Sequence, residues 1–181
     1  MKNIMVDIET LGTSADAVIL SVSACYFEPS TGKIGDKFDK QINLKASIAA
    51  GRDISADTVL WWMSQDENAR KQFATNHKAA KMTDVLKDFS SFIKPKSLVW
   101  GNGASFDLTI LSTAYARCKL PLPWMFWDER DVRTIVHIGQ ALGFNPKKDM
   151  PFEGVRHNAL DDSIHQSKYV SAIWQLITKK D

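Results

Sequence analysis

The sequence predicts an α/β fold in which a mixed β-sheet, an antiparallel meander extended by parallel strands, is flanked by α-helices. Three observations predict it. Up to residue 44 the chain shows strand-like apolar segments separated by short Gly- and Pro-containing turns, the pattern of neighbouring antiparallel strands. From Ser55 onward the apolar period lengthens to that of helices, interrupted by a short apolar run at 97–100. Strands first, then helix–strand–helix alternation, is the order expected of a sheet with helices packed against it.

Each element has a local reason. Residues 3–8 form a first strand through Ile4, Val6 and Ile8, and residues 17–27 a second through Val18, Ile19, Val22, Tyr26 and Phe27. Gly12-Thr13-Ser14 separates them, residues 29–32 are a Pro/Gly turn, and 37–44 alternate as a third strand. Ser55-Ala56-Asp57 is a helix N-terminus, and 58–75 follow in helical pattern. A helix over 82–93 places Val85, Leu86, Phe89 and Phe92 at helical spacing. Strand 97–100 stops at Gly101-Asn102-Gly103, and helices are expected at 106–118, 132–142 and 160–178. Residues 121–123 and 145–153 read as loops inside the domain. No linker, repeat or low-complexity tract divides the chain, so one domain over 1–181 is expected.

Charge and composition exclude several classes. A net charge of +2 is too small for a protein that coats duplexes through phosphate contacts, although a local basic groove remains open. Cys25 and Cys118 form no Cys-x-x-Cys, which argues against a zinc site or a disulfide framework and fits a reducing compartment. Lys2, Asp7 and Glu9 interrupt any signal-peptide core, and no apolar run approaches the roughly 18–20 residues of a membrane span. A soluble, cytoplasmic protein without a membrane partner is the expectation.

Four acids and a histidine stand out because of their settings. Asp7 and Glu9, two apart on a strand, project from one face about 7 Å from each other. Side by side they raise each other's pKa unless a cation lies between them. The plain alternative is an edge strand whose acids face water. Asp107 heads the stripe of Ile110, Leu111, Ala114 and Cys118 on the apolar face of its helix, as an inward ligand or as an N-cap. Asp162 shares a helix face with Tyr169 and Ile173, whereas Asp161 is rotated by about 100° from it. Asp162 is therefore the inward member of the pair, unless both merely complement the helix dipole. His157 lies on the preceding loop, where neutral imidazole would take a proton from an activated water. His77, His137 and His165 carry no such setting.

In order, Asp7-Ile8-Glu9-Thr10, Asp107 after Trp100-Gly101-Asn102, and His157 five residues before Asp162 resemble the three exonuclease motifs of the DEDDh 3′–5′ exonucleases. That family belongs to the ribonuclease H-like superfamily. The resemblance spans nearly the whole chain, and Ser55 to Gln65 is most similar to the small exoribonuclease and prophage exonuclease VIII-like branch. No motif position departs from the family's pattern. The resemblance implies a ribonuclease H-like fold and a two-metal mechanism. In it, Asp7, Glu9, Asp107 and Asp162 hold two Mg²⁺ or Mn²⁺ ions and His157 is the general base. It also implies nucleoside 5′-monophosphate products released from the 3′ end of single-stranded RNA or DNA, RNA favoured, and a homodimer.

Substrate would be gripped by residues beside these motifs. By resemblance, Thr10 and Leu11 follow the strand motif, with Leu11 wedging against terminal bases, and Phe106 lines the same pocket. Val59, Trp62, Met63, Ala69 and Phe73 share a broad helix face, which makes Trp62 core. Trp61, about 100° away, either stacks on a base, meets a subunit, or is buried under another loop. Trp100, Trp124, Trp127 and Trp174 are expected in packing, and Arg130, Arg133 and Arg156 are candidate phosphate contacts. Two other readings remain: a catalytically idle nucleic-acid-binding module on this fold, insensitive to chelation, and a phosphohydrolase acting on nucleotides rather than polymers.

Overall fold

The structure, a computed structural model, describes residues 1–179. Its sheet has five strands in the order β3-β2-β1-β4-β5. Strands β1 (Asn3–Thr10), β2 (Ile19–Glu28) and β3 (Lys33–Gln41) form the expected antiparallel meander. Strands β4 (Leu98–Gly101) and β5 (Glu129–Asp131) join parallel to β1 on its other side. This is the mixed sheet flanked by helices that the sequence predicts. Three residues of mixed charge carry no alternation, which is why β5 leaves no strand signal.

The helices in chain order are α1 (Leu44–Ala49), α2 (Ala56–Ser64), α3 (Glu67–Thr75), α4 (Met82–Phe92), α5 (Ala104–Arg117), α6 (Val132–Ala141), α7 (Pro146–Asp149) and α8 (Ala159–Thr178). Three corrections follow. The stretch 58–75 is two helices, because Gln65 is extended and the Asp66 side chain accepts from the Ala69 N–H at 3.0 Å, starting a new helix. Met63, placed on the buried face of one continuous helix, is consequently exposed. The third strand ends at Gln41, since Asn43 caps α1 by accepting from the Ala46 N–H at 2.9 Å. Within 145–153, α7 forms a single turn behind the Asn145 cap.

Alternation along β1 divides the core. Ile4, Val6 and Ile8 pack with Val85, Leu86 and Phe89 of α4 and with Leu108 and Leu111 of α5. Met5 packs with Trp100, Val132, Tyr169, Val170 and Ile173, on the side covered by α6 and α8. A third cluster joins Leu11, Val18 and Leu20 to Trp62 and Ala69, with Val59 and Phe73 against it. Trp100 and Trp124 are buried as expected. Trp127 and Trp174 are not: Trp127 lies in a 3₁₀ turn before β5 and is 60% exposed, and Trp174 is one residue round α8 from buried Ile173. No helix among the described residues is long and apolar enough to cross a membrane.

Candidate active site

Asp7 and Glu9 continue the face of β1 that carries Met5, so α8 passes over them. Strand β4 ends at Gly101, opposite Val6, leaving the edge of β1 beyond Val6 without a parallel neighbour. Asp107 in the first turn of α5 takes that place: its Oδ1 accepts the Ile8 N–H at 3.3 Å. It is not the N-cap. The α5 N-terminus begins at Gly103 (φ 98°), and the Asp131 carboxylate accepts the N–H groups of Gly103 at 3.2 Å and Ala104 at 3.1 Å. With those donors satisfied from outside, Asp107 turns inward and is 3% exposed.

The neighbouring aspartates of α8 divide their work. Asp162 Oδ2 accepts the His157 N–H at 2.8 Å, and Asp161 Oδ2 accepts the Val155 N–H at 2.8 Å. Both hold the loop that delivers His157. Gly154 (φ 106°) lies so close that a Cβ there would stand 2.6 Å from the Asp161 carboxylate, so the loop needs glycine at that point. One turn along α8 from Asp162, Gln166 donates through Nε2 to Asp7 Oδ1 at 2.8 Å. Its Oε1 is buried without a protein partner. Carboxylate and imidazole atoms of Glu9, His157 and Asp162 lie within 4.8 Å of one another. The structure therefore brings Asp7, Glu9, Asp107, His157 and Asp162 to one place from β1, α5 and the start of α8.

The electrostatics of this cluster are those of acids short of a cation. Burial, then the carboxylates of Asp107, Glu9 and Asp162, hold the Asp7 carboxyl well above its usual range. Burial followed by Asp162 and Asp107 raises Glu9 to about 8. Burial takes Asp107 to about 7 against the opposing Ile8 N–H, and Asp162 to about 6 against the His157 N–H. Burial and the charge of Arg156 push the His157 imidazole down, toward its neutral form. Among the described residues no lysine or arginine forms an ion pair with any of the four acids. Hard oxygen donors, buried at Glu9 and Asp107 and half-buried at Asp7 and Asp162, mutually repelling and unpaired, fit divalent cations.

Beside the cluster runs a groove of about 490 Å³ lined by residues including Glu9, Thr10, Thr13, Trp61, Trp62 and Phe106. Trp62 is a fixed wall, 3% exposed, its indole N–H donating to the Thr10 carbonyl at 2.9 Å. Trp61 is 42% exposed, its ring 4.8 Å from that of His157, so burial under a loop does not describe it. Leu11, expected as a wedge against bases, requires correction. It is 4% exposed in the cluster with Val18, Leu20 and Trp62, and it supports the groove from behind. The backbone after Glu9 breaks register with β2, which turns Leu11 away from the strand's surface.

Of the three arginines, Arg156 stacks 4.7 Å over Phe152 and Arg130 donates to the Trp127 and Glu129 carbonyls. The Arg133 guanidinium rests against Gly103, where it opposes the rise in the Asp107 pKa. Sequence reasoning missed Gln166 and Asp131. Gln166 had a readable signal, since it follows Asp162 by one helical turn; Asp131 showed only an ordinary N-cap pattern toward Thr134, and its partners at the start of α5 lie 27 and 28 residues away.

Residues 2–174 match the family model described as the 3′–5′ exoribonuclease Rv2179c-like domain. An exodeoxyribonuclease of Enterobacteria phage T4 is 26% identical over 161 residues, covering 74% of this chain and 70% of that protein. Among solved structures, the nuclease domain of 3′hExo, a DEDDh family member bound to rAMP, superposes with a TM-score of 0.65 at 15% identity. That match covers 97% of this chain and 91% of the other. E. coli Exonuclease I in complex with a 5cy-dA13 oligonucleotide gives 0.68 at 16% identity, over 94% of this chain and 40% of the larger one. With the ribonuclease H-like architecture of the DEDDh exonucleases and a family model matched from residue 2 to residue 174, the chain belongs to the 3′–5′ exoribonuclease Rv2179c-like family and is a 3′–5′ exonuclease.

Proposed function

We propose that residues 1–181 act as one exonuclease domain that trims single-stranded RNA from its 3′ end, in preference to DNA, and releases nucleoside 5′-monophosphates. The observation that carries this reading is the largely buried cluster of Asp7, Glu9, Asp107 and Asp162, raised in pKa and without an ion-pair partner, beside an aromatic groove. Those four side chains would hold two divalent ions, Mg²⁺ or Mn²⁺, which when bound supply Lewis-acid activation of water and neutralise charge on the phosphate. His157, held neutral, accepts the proton of the attacking water. Gln166 fixes the Asp7 carboxylate by donating its amide N–H to Oδ1. Trp61 and Phe106 flank the terminal base, and Thr10, whose hydroxyl donates to the Gly12 carbonyl at 2.7 Å, shapes the turn beneath it.

Preference for RNA is supported by the exoribonuclease description of the family model, and the rAMP bound by the 3′hExo nuclease domain is consistent with it. A DNA substrate is the second reading, favoured by the exodeoxyribonuclease relative from phage T4. The same proposal takes the protein as a cytoplasmic homodimer, with exposed Met125, Phe126 and Trp127 as apolar surface for a second copy. Matched 5′-labelled RNA and DNA oligonucleotides, digested with Mg²⁺ or Mn²⁺ and with EDTA, test the reading. Faster shortening of RNA with 5′-monophosphate release supports it, faster shortening of DNA selects the second reading, and no release from either refutes both. Sedimentation equilibrium tests the dimer.

A further inference from the structure

We propose that Trp61 is a positioning residue for His157, and that its ring ties the seat of the imidazole to the filling of the groove by the substrate nucleotide. The inference rests on the reading of His157 as general base.

His157 sits at φ 62°, a left-handed conformation uncommon for a residue with a Cβ. Its backbone is held at both ends. The N–H donates to Asp162, and the carbonyl accepts from Gln72 Nε2 at 3.3 Å. The ring is held differently. Among the described residues neither imidazole nitrogen has a protein hydrogen-bond partner, whereas a catalytic histidine is commonly oriented by an acceptor on its second nitrogen. Besides the nearby carboxylates of Glu9 and Asp162, what packs against the imidazole is aromatic. Trp61 meets it edge to face at 4.8 Å and 78°, and Trp62 lies at 6.2 Å and 82°. Trp62 is pinned by its hydrogen bond to Thr10 and cannot follow the ligand. Trp61 is the exposed, adjustable member of the pair, with its ring 5.0 Å from that of Trp62. It also lines the groove with Glu9 and Phe106. A base packed in that groove therefore presses on the same indole that fixes the imidazole.

A base-stacking role alone makes a different forecast, and an oligonucleotide with an abasic 3′-terminal nucleotide separates the two. With no terminal base to stack, Trp61→Ala leaves cleavage of that substrate unchanged if Trp61 only stacks. As a positioning residue it lowers kcat on the abasic substrate by on the order of 10- to 100-fold, and Trp61→Phe restores much of the loss. Gln72→Leu, outside the groove, lowers kcat on both substrates and leaves KM near the wild-type value. In spectra of the metal-free protein, the His157 ring-proton resonances move toward their random-coil positions in Trp61→Ala. An unchanged kcat on the abasic substrate, with only KM raised on the normal one, overturns the inference, as do unmoved resonances. If Trp61→Ala does not fold, Trp61→Leu decides by the same split: a lower kcat on the abasic substrate supports the inference and an unchanged one overturns it. Wild-type inactivity on every oligonucleotide defeats the exonuclease reading, and full activity of His157→Ala defeats the general-base reading. An active wild type with a dead His157→Ala leaves Trp61 as the only variable.

Discussion

Replacing Glu9 by glutamine makes the metal-free protein more stable while abolishing its activity. Glu9 is 8% exposed and its carboxyl is raised from its usual 4.5 to about 8 by burial and by Asp162 and Asp107. The protonated carboxyl's contribution to folding is fully present below pH 4.5 and is lost as pH rises through about 8. At pH 7 the unfolded chain has released this proton and the fold retains it, a penalty of about 3 kcal/mol at most from that single group. A glutamine side chain has nearly the same shape and no proton to lose, so the penalty disappears. For a chain of this length the gain is up to roughly 10 °C in Tm. Thermal melts of Glu9→Gln and wild type in EDTA at pH 5 and pH 7.5 provide the assay. The variant and wild type should melt close together at pH 5, and the variant later at pH 7.5. Saturating Mn²⁺ should raise the wild-type Tm more at pH 7.5 than at pH 5, because bound protons compete with the ion. A variant that melts earlier than wild type at pH 7.5 in EDTA would refute the account of a charge cluster awaiting a cation.

Three further predictions follow the same geometry. His157→Ala should lower kcat by roughly 10²–10⁴-fold with little change in metal affinity, checked by single-turnover kinetics and calorimetric Mn²⁺ titration. Gln166→Leu removes the donor to Asp7 Oδ1, and calorimetry should find metal bound about 10- to 100-fold more weakly, with much of kcat recovered at saturating metal. Asp131→Ala frees the N–H groups of Gly103 and Ala104 on α5 and of Thr134 on α6. Losing two caps should cost about 2 kcal/mol in urea melts, and activity should fall because Asp107 is no longer held inward.

The sequence by itself determined the meander, the parallel strand β4, most of the helices and the identity of the acids. Each of these is written in a local period. Two-residue alternation puts Asp7 and Glu9 on one face, and the 100° helical step separates inward Asp162 from Asp161 without any partner being known. The Asp161 side chain's own task, holding Val155, needed the folded loop.

Tertiary structure decided what depends on residues far apart in the chain. Whether Asp107 caps its helix or turns inward was undecidable from its neighbours, because the answer lies with Asp131 on β5 and with the edge of β1 that β4 leaves open. The family resemblance makes Leu11 a wedge, and its sequence neighbours do not contradict that, because its burial comes from Val18, Leu20 and a tryptophan 51 residues on. Trp61 was ambiguous for the same reason: helical phase shows that it leaves its own helix's core face, and only the fold brings His157 against its ring. Local periodicity selects which side of an element a side chain occupies. Long-range packing selects what waits on that side, and the balance of burial, charge and hydrogen bonding at the site is set there.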